Sequence, residues 1–253
     1  MALQEKSAVK VVFGAMTFGR EGTEQTRVHT LEDCSAILDI FQAHGHNEID
    51  TARFYGEGTS ESFLGNLDWQ KRGIVMDTKY YPTAGRQLPK SNAPEEGWRH
   101  TPEHLRQNLM DSLKALKTDN VDMWYLHGPD RTTPDTQDKF IETGSRFDPS
   151  RWQGKMYRMR YWNDAYFDAL DILRPVAKKH GLTEAECALR WMTHHSLLKR
   201  EYGDGIIIGA SSTKHMEENM KLLDDPNPLP DEVVQALDAG WEKVKGISGK
   251  YWH

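Results

Sequence analysis

Sulfur is scarce in this chain: two cysteines, Cys34 and Cys187, among 253 residues. Both fall inside helix-like segments, which suits buried free thiols of a reducing compartment and not a disulfide framework. No cysteine spacing for a metal exists, and the eleven histidines are scattered. Adjacent His194 and His195 point to different sides of a helix, so no structural zinc site is expected. Long apolar runs are also missing. The longest, Gly205 to Ala210 and Val121 to Leu126, are far too short to cross a bilayer, and Gln4, Glu5 and Lys6 make the N-terminus too polar for a signal core. The expectation is a soluble, cytoplasmic protein with no membrane contact. Positive charge is in deficit, with 32 Lys and Arg against 38 Asp and Glu and a formal charge of -6. Nucleic acid is therefore not an expected partner, since phosphate binding needs a basic surface, and an anionic ligand must find local cations. Nothing resembles a linker, so residues 1–253 are read as a single domain, long enough to bury one large core.

What the chain does have is alternation. Short apolar runs take turns with longer amphipathic ones, the pattern of parallel strands joined by helices, and this predicts an α/β fold. Strands are expected at Val9 to Phe13, Asn47 to Thr51, Gly73 to Tyr80, Val121 to His127 and Gly205 to Gly209. Helices are expected at Thr30 to His44, Ser60 to Leu67, Thr101 to Lys117, Asp164 to His180, Thr183 to Leu198, Thr213 to Leu223 and Pro230 to Val244. The third of these has Thr101 as cap, Pro102 in its first turn and a stripe of Leu105, Leu109, Leu113 and Leu116 to bury. From Gly128 to about Asn163 the rhythm stops, with no convincing strand and no helical stripe. A structureless stretch of that length inside a compact domain suggests that something is missing.

Four polar side chains stand at or just after the C-terminal ends of successive predicted strands: Asp50 and nearby Tyr55, Lys79, and His127. Each has a plain structural reading by itself, as a turn cap, a solvated lysine or a core histidine. Together they form a coherent machine, because the C-terminal strand ends of a (β/α) barrel build its active site. An ammonium beside a phenol stabilises the phenolate; at roughly 3 Å and an effective dielectric of about 20 the attraction is on the order of 5 kcal/mol before desolvation. Asp50 would hold Lys79, Tyr55 would act as general acid, and His127 would orient a carbonyl oxygen.

The segments Ile49-Asp50-Thr51-Ala52 with Tyr55-Gly56, Thr78-Lys79 and Tyr125-Leu126-His127 resemble the signature of the aldo-keto reductases. The turn Phe13 to Gly19 and the segment Ala188 to Met192 are similar to the branch that holds aflatoxin aldehyde and succinic semialdehyde reductases, fungal relatives included. The resemblance implies a TIM (β/α)8-barrel family fold, NADPH-dependent reduction of an aldehyde or ketone to an alcohol, and Asp50, Tyr55, Lys79 and His127 as the catalytic set. It also gives meaning to the turn after the last strand. A serine-rich turn at a helix N-terminus is a ready anion site, though more often a simple cap. In these reductases the turn grips the adenosine 2′-phosphate of NADPH, and here it is built from Ser211, Ser212, Thr213, Lys214, His215 and Asn219, with Asp50 and Arg146 as further cofactor contacts. Tyr157 and Arg160, with His127, fall at positions that contact substrate, and Arg160 is the better candidate for an acidic group. The final His253 stands where relatives often carry arginine, which weakens the case for a carboxylate substrate. Trp98, Trp152, Tyr157 and Trp162 suggest a wide mouth for a bulky carbonyl compound, such as a polyketide or terpenoid intermediate of secondary metabolism.

The family barrel has eight strands, whereas five are readable here. Three βα units of at least about 30 residues each are missing between Asp130 and Phe140. With them go the family's residues for the nicotinamide amide and the loop over the pyrophosphate. The expected product is an incomplete barrel with two open strand edges, from a mispredicted exon, a true deletion rescued by dimerisation or rearrangement, or a decayed enzyme. The alternative to an enzyme is a truncated, non-catalytic nucleotide-binding or interaction protein, with a homodimer covering the open edges.

Overall fold

The structure, a computed structural model, describes residues 7–84, 97–128 and 152–249. Its elements in chain order begin with β1 (Lys10–Gly14), α1 (Leu31–Ala43), β2 (Glu48–Asp50), α2 (Thr59–Leu64) and β3 (Val75–Tyr80). They continue with α3 (Pro102–Leu116), β4 (Met123–Leu126), α4 (Trp152–Tyr161), α5 (Asp164–Lys179) and α6 (Glu184–His194), and close with β5 (Gly205–Ile208), α7 (Thr213–Leu223) and α8 (Asp231–Val244). Two compact units emerge among the described residues: 11–84, 97–128 and 206–220 form the first, and 7–10, 152–205 and 221–249 the second.

The first unit is built on a sheet of order β4-β3-β2-β1-β5. Pairing is parallel from β1 to β4, with Gly14 opposite Asp50, Asp50 opposite Asp77, and Lys79 opposite Tyr125. Parallel strands buried on both faces need continuous apolar runs, and Val11, Val12 and Phe13 supply one, all buried. Ile37, Leu38 and Phe41 of α1 are fully buried, at the helical spacing expected of a core face. Thr30 caps that helix by accepting from the Asp33 amide, which satisfies one of the four unpaired N–H groups of a helix start. Gly65, just past α2, admits a close approach of the α3 end: a Cβ there would fall 2.2 Å from the Ala115 carbonyl oxygen.

Two features differ from the sequence expectation. In α3 only Leu116 of the leucine stripe is buried; the other buried residues are Asn108 and Ser112. The helix is rotated so that small polar groups lie innermost. The chain after Gly128 also contains α4, which periodicity did not show because its apolar residues form no single stripe; Met159 and Tyr161 are exposed and Arg158 is buried. The incomplete barrel itself is as expected: five strands among the described residues, with the exposed apolar strand residues Met123, Tyr125, Leu126 and Ile207 all on the two outer strands, β4 and β5.

In the second unit α5 and α8 pack together around Leu173, Ala177, Cys187, Leu229, Val233 and Ala236. Buried Arg190 on α6 donates to the carbonyls of Asn227 and Pro228 at 2.9 to 3.2 Å and meets Glu186 at 3.0 Å. No helix among the described residues is long and apolar enough to cross a membrane.

Candidate active site

Alternation along a strand decides which side chains meet. Residues two apart share a face, so Asp77 and Lys79 point the same way from β3. Asp50 joins them by its register with Asp77, and His127 follows Tyr125, the partner of Lys79, by two residues. The His127 amide donates to the Tyr80 carbonyl at 2.7 Å, which carries the pairing one step beyond β4. Tyr55 arrives from the turn after β2, where the Thr51 amide donates to the Asp77 carbonyl at 2.9 Å. All four residues singled out in the sequence therefore lie together in the first unit.

Lys79 Nζ donates to Asp50 Oδ2 at 2.5 Å and to the Thr51 carbonyl at 2.8 Å. Both side chains are close to nine-tenths buried. Burial lowers the lysine pKa from its ordinary value, and Asp50, Asp77 and Glu61 oppose that shift. The pair tolerates burial because each member is matched and hydrogen-bonded. The same nitrogen stands 5.1 Å from the centre of the Tyr55 ring, within range of the attraction between a cation and an aromatic face.

Tyr55 Oη lies 3.4 Å from His127 Nε2, and the two rings meet edge to face at 89°. Burial, then the Lys79 charge, hold the His127 pKa down at about 3. The imidazole is neutral at physiological pH, with one N–H to give. Its Nδ1 is buried and makes no hydrogen bond. Tyr81 forms the next wall, 5.2 Å from the His127 ring and 5.0 Å from Phe54 between ring centres. Neither aromatic stood out in the sequence, since each is one of many bulky residues at a strand end or turn.

The turn after β5 belongs to the first unit as well. Ser211 Oγ and His215 Nδ1 are 2.8 Å apart, Ser212 Oγ accepts from the His215 amide at 3.2 Å, and Asn219 Nδ2 donates to the Gly209 carbonyl at 3.1 Å. Thr213 opens α7, and Lys214 is largely exposed, with Glu218 at 3.8 Å. Hydroxyls, an ammonium and the first-turn amides of an eleven-residue helix are the donor set that an organic phosphate needs. Around Gly209 there is open space, for a Cβ built there meets nothing within 4 Å.

Other sequence candidates are placed differently. Among the described residues Trp98 is a core residue: it is buried, with Tyr80 at 6.4 Å and His104 at 5.3 Å between ring centres. Its flat apolar ring is satisfied by those contacts. Tyr157 and Arg160 sit on α4 in the second unit, the tyrosine half-buried and the arginine exposed. Arg146, the Trp152 side chain and the tail from Lys250 to His253 lie outside the described residues.

Comparison with known proteins identifies the family of the chain. The model of the Aldo/keto reductase family matches in two stretches, residues 10–155 and 138–242. The aldo-keto reductase pigE of Monascus ruber is 33% identical over 344 aligned positions, which take in 100% of this chain and 99% of pigE. The alignment is longer than the 253 residues here, so pigE carries residues for which this chain has no counterpart. Aflatoxin B1 aldehyde reductase member 2 of Mus musculus is 25% identical, with 92% of this chain and 84% of the mouse protein covered. Among solved structures, an aldo-keto reductase of Klebsiella pneumoniae in complex with NADPH superposes with a TM-score of 0.55 at 19% identity, over 94% of this chain and 95% of that one.

Proposed function

The chain belongs to the aldo/keto reductase family, and from that premise we propose that it reduces an aldehyde or ketone to the alcohol with NADPH as reductant and Tyr55 as proton donor. The observation that carries this reading is the meeting of Asp50, Lys79, Tyr55 and His127 on one face of adjoining strand ends. NADPH supplies the hydride for the carbonyl carbon when it is bound. Ser211, Ser212, Thr213, Lys214, His215 and Asn219 would hold its adenosine phosphate, with Asp50 as a further cofactor contact. Arg146 is proposed as a further phosphate contact, and Tyr157 and Arg160 as substrate contacts.

The residues of the site divide the proton work. A neutral His127 gives its N–H to the carbonyl oxygen and fixes it beside Tyr55 Oη. Tyr55 then hands its proton to the same oxygen as negative charge grows there. The Lys79 ammonium, anchored by Asp50 and the Thr51 carbonyl, stabilises the phenolate that is left, which is electrostatic assistance aimed at charge that develops only during reaction. The substrate we propose is a bulky carbonyl compound of secondary metabolism, a reading supported by the name of the aflatoxin aldehyde relative and by the aromatic walls Phe54 and Tyr81.

A second reading has its own support. The two-stretch family match and the unpaired length of pigE point to an internal deletion, which fits a chain that binds the dinucleotide without turning it over. One sample decides between them: NADPH binding by fluorescence together with NADPH consumption on an aldehyde. Turnover supports the reductase, binding alone supports the second reading, and the absence of both overturns each.

A further inference from the structure

Glu61 on α2 is fully buried, and its two carboxylate oxygens are taken by different elements. Oε1 accepts from Thr78 Oγ1 at 2.7 Å, on β3 immediately before Lys79. Oε2 accepts from Arg53 Nη1 at 3.0 Å, two residues before Tyr55. The same guanidinium nitrogen donates to the Gly58 carbonyl at 2.9 Å, and the Arg53 amide donates to the Lys79 carbonyl at 3.3 Å. The turn so held is unusual: Gly56, Glu57 and Gly58 all have positive φ, between 55° and 86°. Position 58 requires glycine twice over, since a Cβ there would lie 2.8 Å from the Arg53 guanidinium.

A leucine at position 61 would fill the same space with no charge to desolvate. A carboxylate buried there with a matched cation is a costlier choice, and such pairs are best understood by the geometry they specify. We propose that Glu61 and Arg53 form a positioning pair for the reductase chemistry, a bracket that fixes the turn carrying Tyr55 against the strand carrying Lys79. The inference deepens the reductase reading and rests on it. Neither residue touches the reacting atoms. The groups facing Lys79 are Asp50 from β2, Asp77 on its own strand, Glu61 from α2, Tyr55 from the turn and His127 after β4. Burial pushes the Glu61 carboxyl up from its ordinary value, while Arg53 and the Thr78 hydroxyl work in the other direction.

The test uses Arg53→Lys, which keeps the cation but not the reach of the guanidinium to both of its acceptors, and Glu61→Gln, which keeps the shape but not the charge. Variants that retain a cooperative urea transition are carried forward; Thr78→Val replaces any that does not. The expected result is a fall in kcat of about 10- to 100-fold on 4-nitrobenzaldehyde, the scale of a misplaced catalytic group, with the NADPH dissociation constant unchanged within about twofold. Ionisation of the Tyr55 phenol, followed near 295 nm as the difference between each protein and its Tyr55→Phe counterpart, gives a second readout. Loss of position moves it to higher pH because the ammonium no longer faces the phenol; loss of a negative charge alone would move it to lower pH. Parental kcat in folded variants, or a phenol titration unmoved or shifted downward in Glu61→Gln, overturns the proposal. If the unmutated chain consumes no NADPH, the reductase reading fails while the phenol titration still decides the bracket.

Discussion

Tyr55 Oη and His127 Nε2 stand 3.4 Å apart at the ends of different strands, ring edge to ring face. A phenol and an imidazole that close are poised to receive one oxygen atom between them. Tyr55→Phe is expected to lower kcat by about 10²- to 10⁴-fold, the usual contribution of a general acid. NADPH binding should survive, because the phenyl ring keeps its place against Lys79. The measurement is NADPH absorbance with an aldehyde, beside a fluorescence titration; full activity in the variant would end the mechanism.

Lys79→Met leaves Asp50 buried without its cation. Removing one partner of a buried pair typically costs about 3–5 kcal/mol, so urea unfolding should show a large drop in midpoint together with loss of turnover. Lys79→Met combined with Asp50→Leu should recover much of that stability and none of the activity. The contrast separates the structural role of the pair from its chemical one.

One part of the pH dependence of stability follows from His127. Its folded pKa, about 3, is below the ordinary 6.5, so between those values the unfolded chain binds a proton that the folded chain refuses. The His127 contribution is fully present above about pH 6.5 and is lost as the pH is lowered toward 3, by up to about 1.4 kcal/mol for each pH unit traversed. His127→Gln should flatten that acid limb in urea midpoints measured between pH 7 and pH 4.5. An unchanged slope in the variant would show that the imidazole is charged or exposed in the folded state.

If the turn after β5 holds the 2′-phosphate as proposed, it sets the choice of cofactor. Ser212→Ala removes the bond to the His215 amide, with a cost of about 1 kcal/mol to the start of α7. Lys214→Ala removes a local ammonium. Both should raise the KM for NADPH while leaving that for NADH nearly unchanged, and Lys214→Ala should reduce the salt dependence of NADPH binding. Equal losses for the two dinucleotides would mean that the turn does not hold the 2′-phosphate.

Much of this was legible in the sequence. Runs such as Val11 to Phe13, with Thr101 as a cap, identified their elements because burial and hydrogen-bond satisfaction act over a few residues. Spacing after the strands likewise indicated that Asp50, Lys79 and His127 share a site. Glu61 escaped notice because a single acidic residue on a short helix reads as solvent-facing, although its place between buried Ser60 and Leu64 was the available signal. Arg53 and Tyr81 were hidden for a similar reason, since their partners come from other elements. Helix α4 left no trace because an arginine- and aromatic-rich segment without a stripe has no period to detect. Trp98 misled in the opposite sense, as a large ring serves a core as readily as a binding mouth.

The sheet order carries a consequence for how the molecule assembles and opens. Neighbours β1 to β4 follow one another in the chain, whereas β5 comes back beside β1, and the Thr17 hydroxyl donates to the Ala210 carbonyl across 193 positions of sequence at 2.5 Å. Closing so long a loop is entropically the dearest of the sheet's steps, so the pairing of β5 with β1 is expected to form late in folding and to be the first to open. The turn proposed for the dinucleotide rides on that strand and the acid-base cluster on the others, so a nucleotide bound as proposed would act as a clasp between the two.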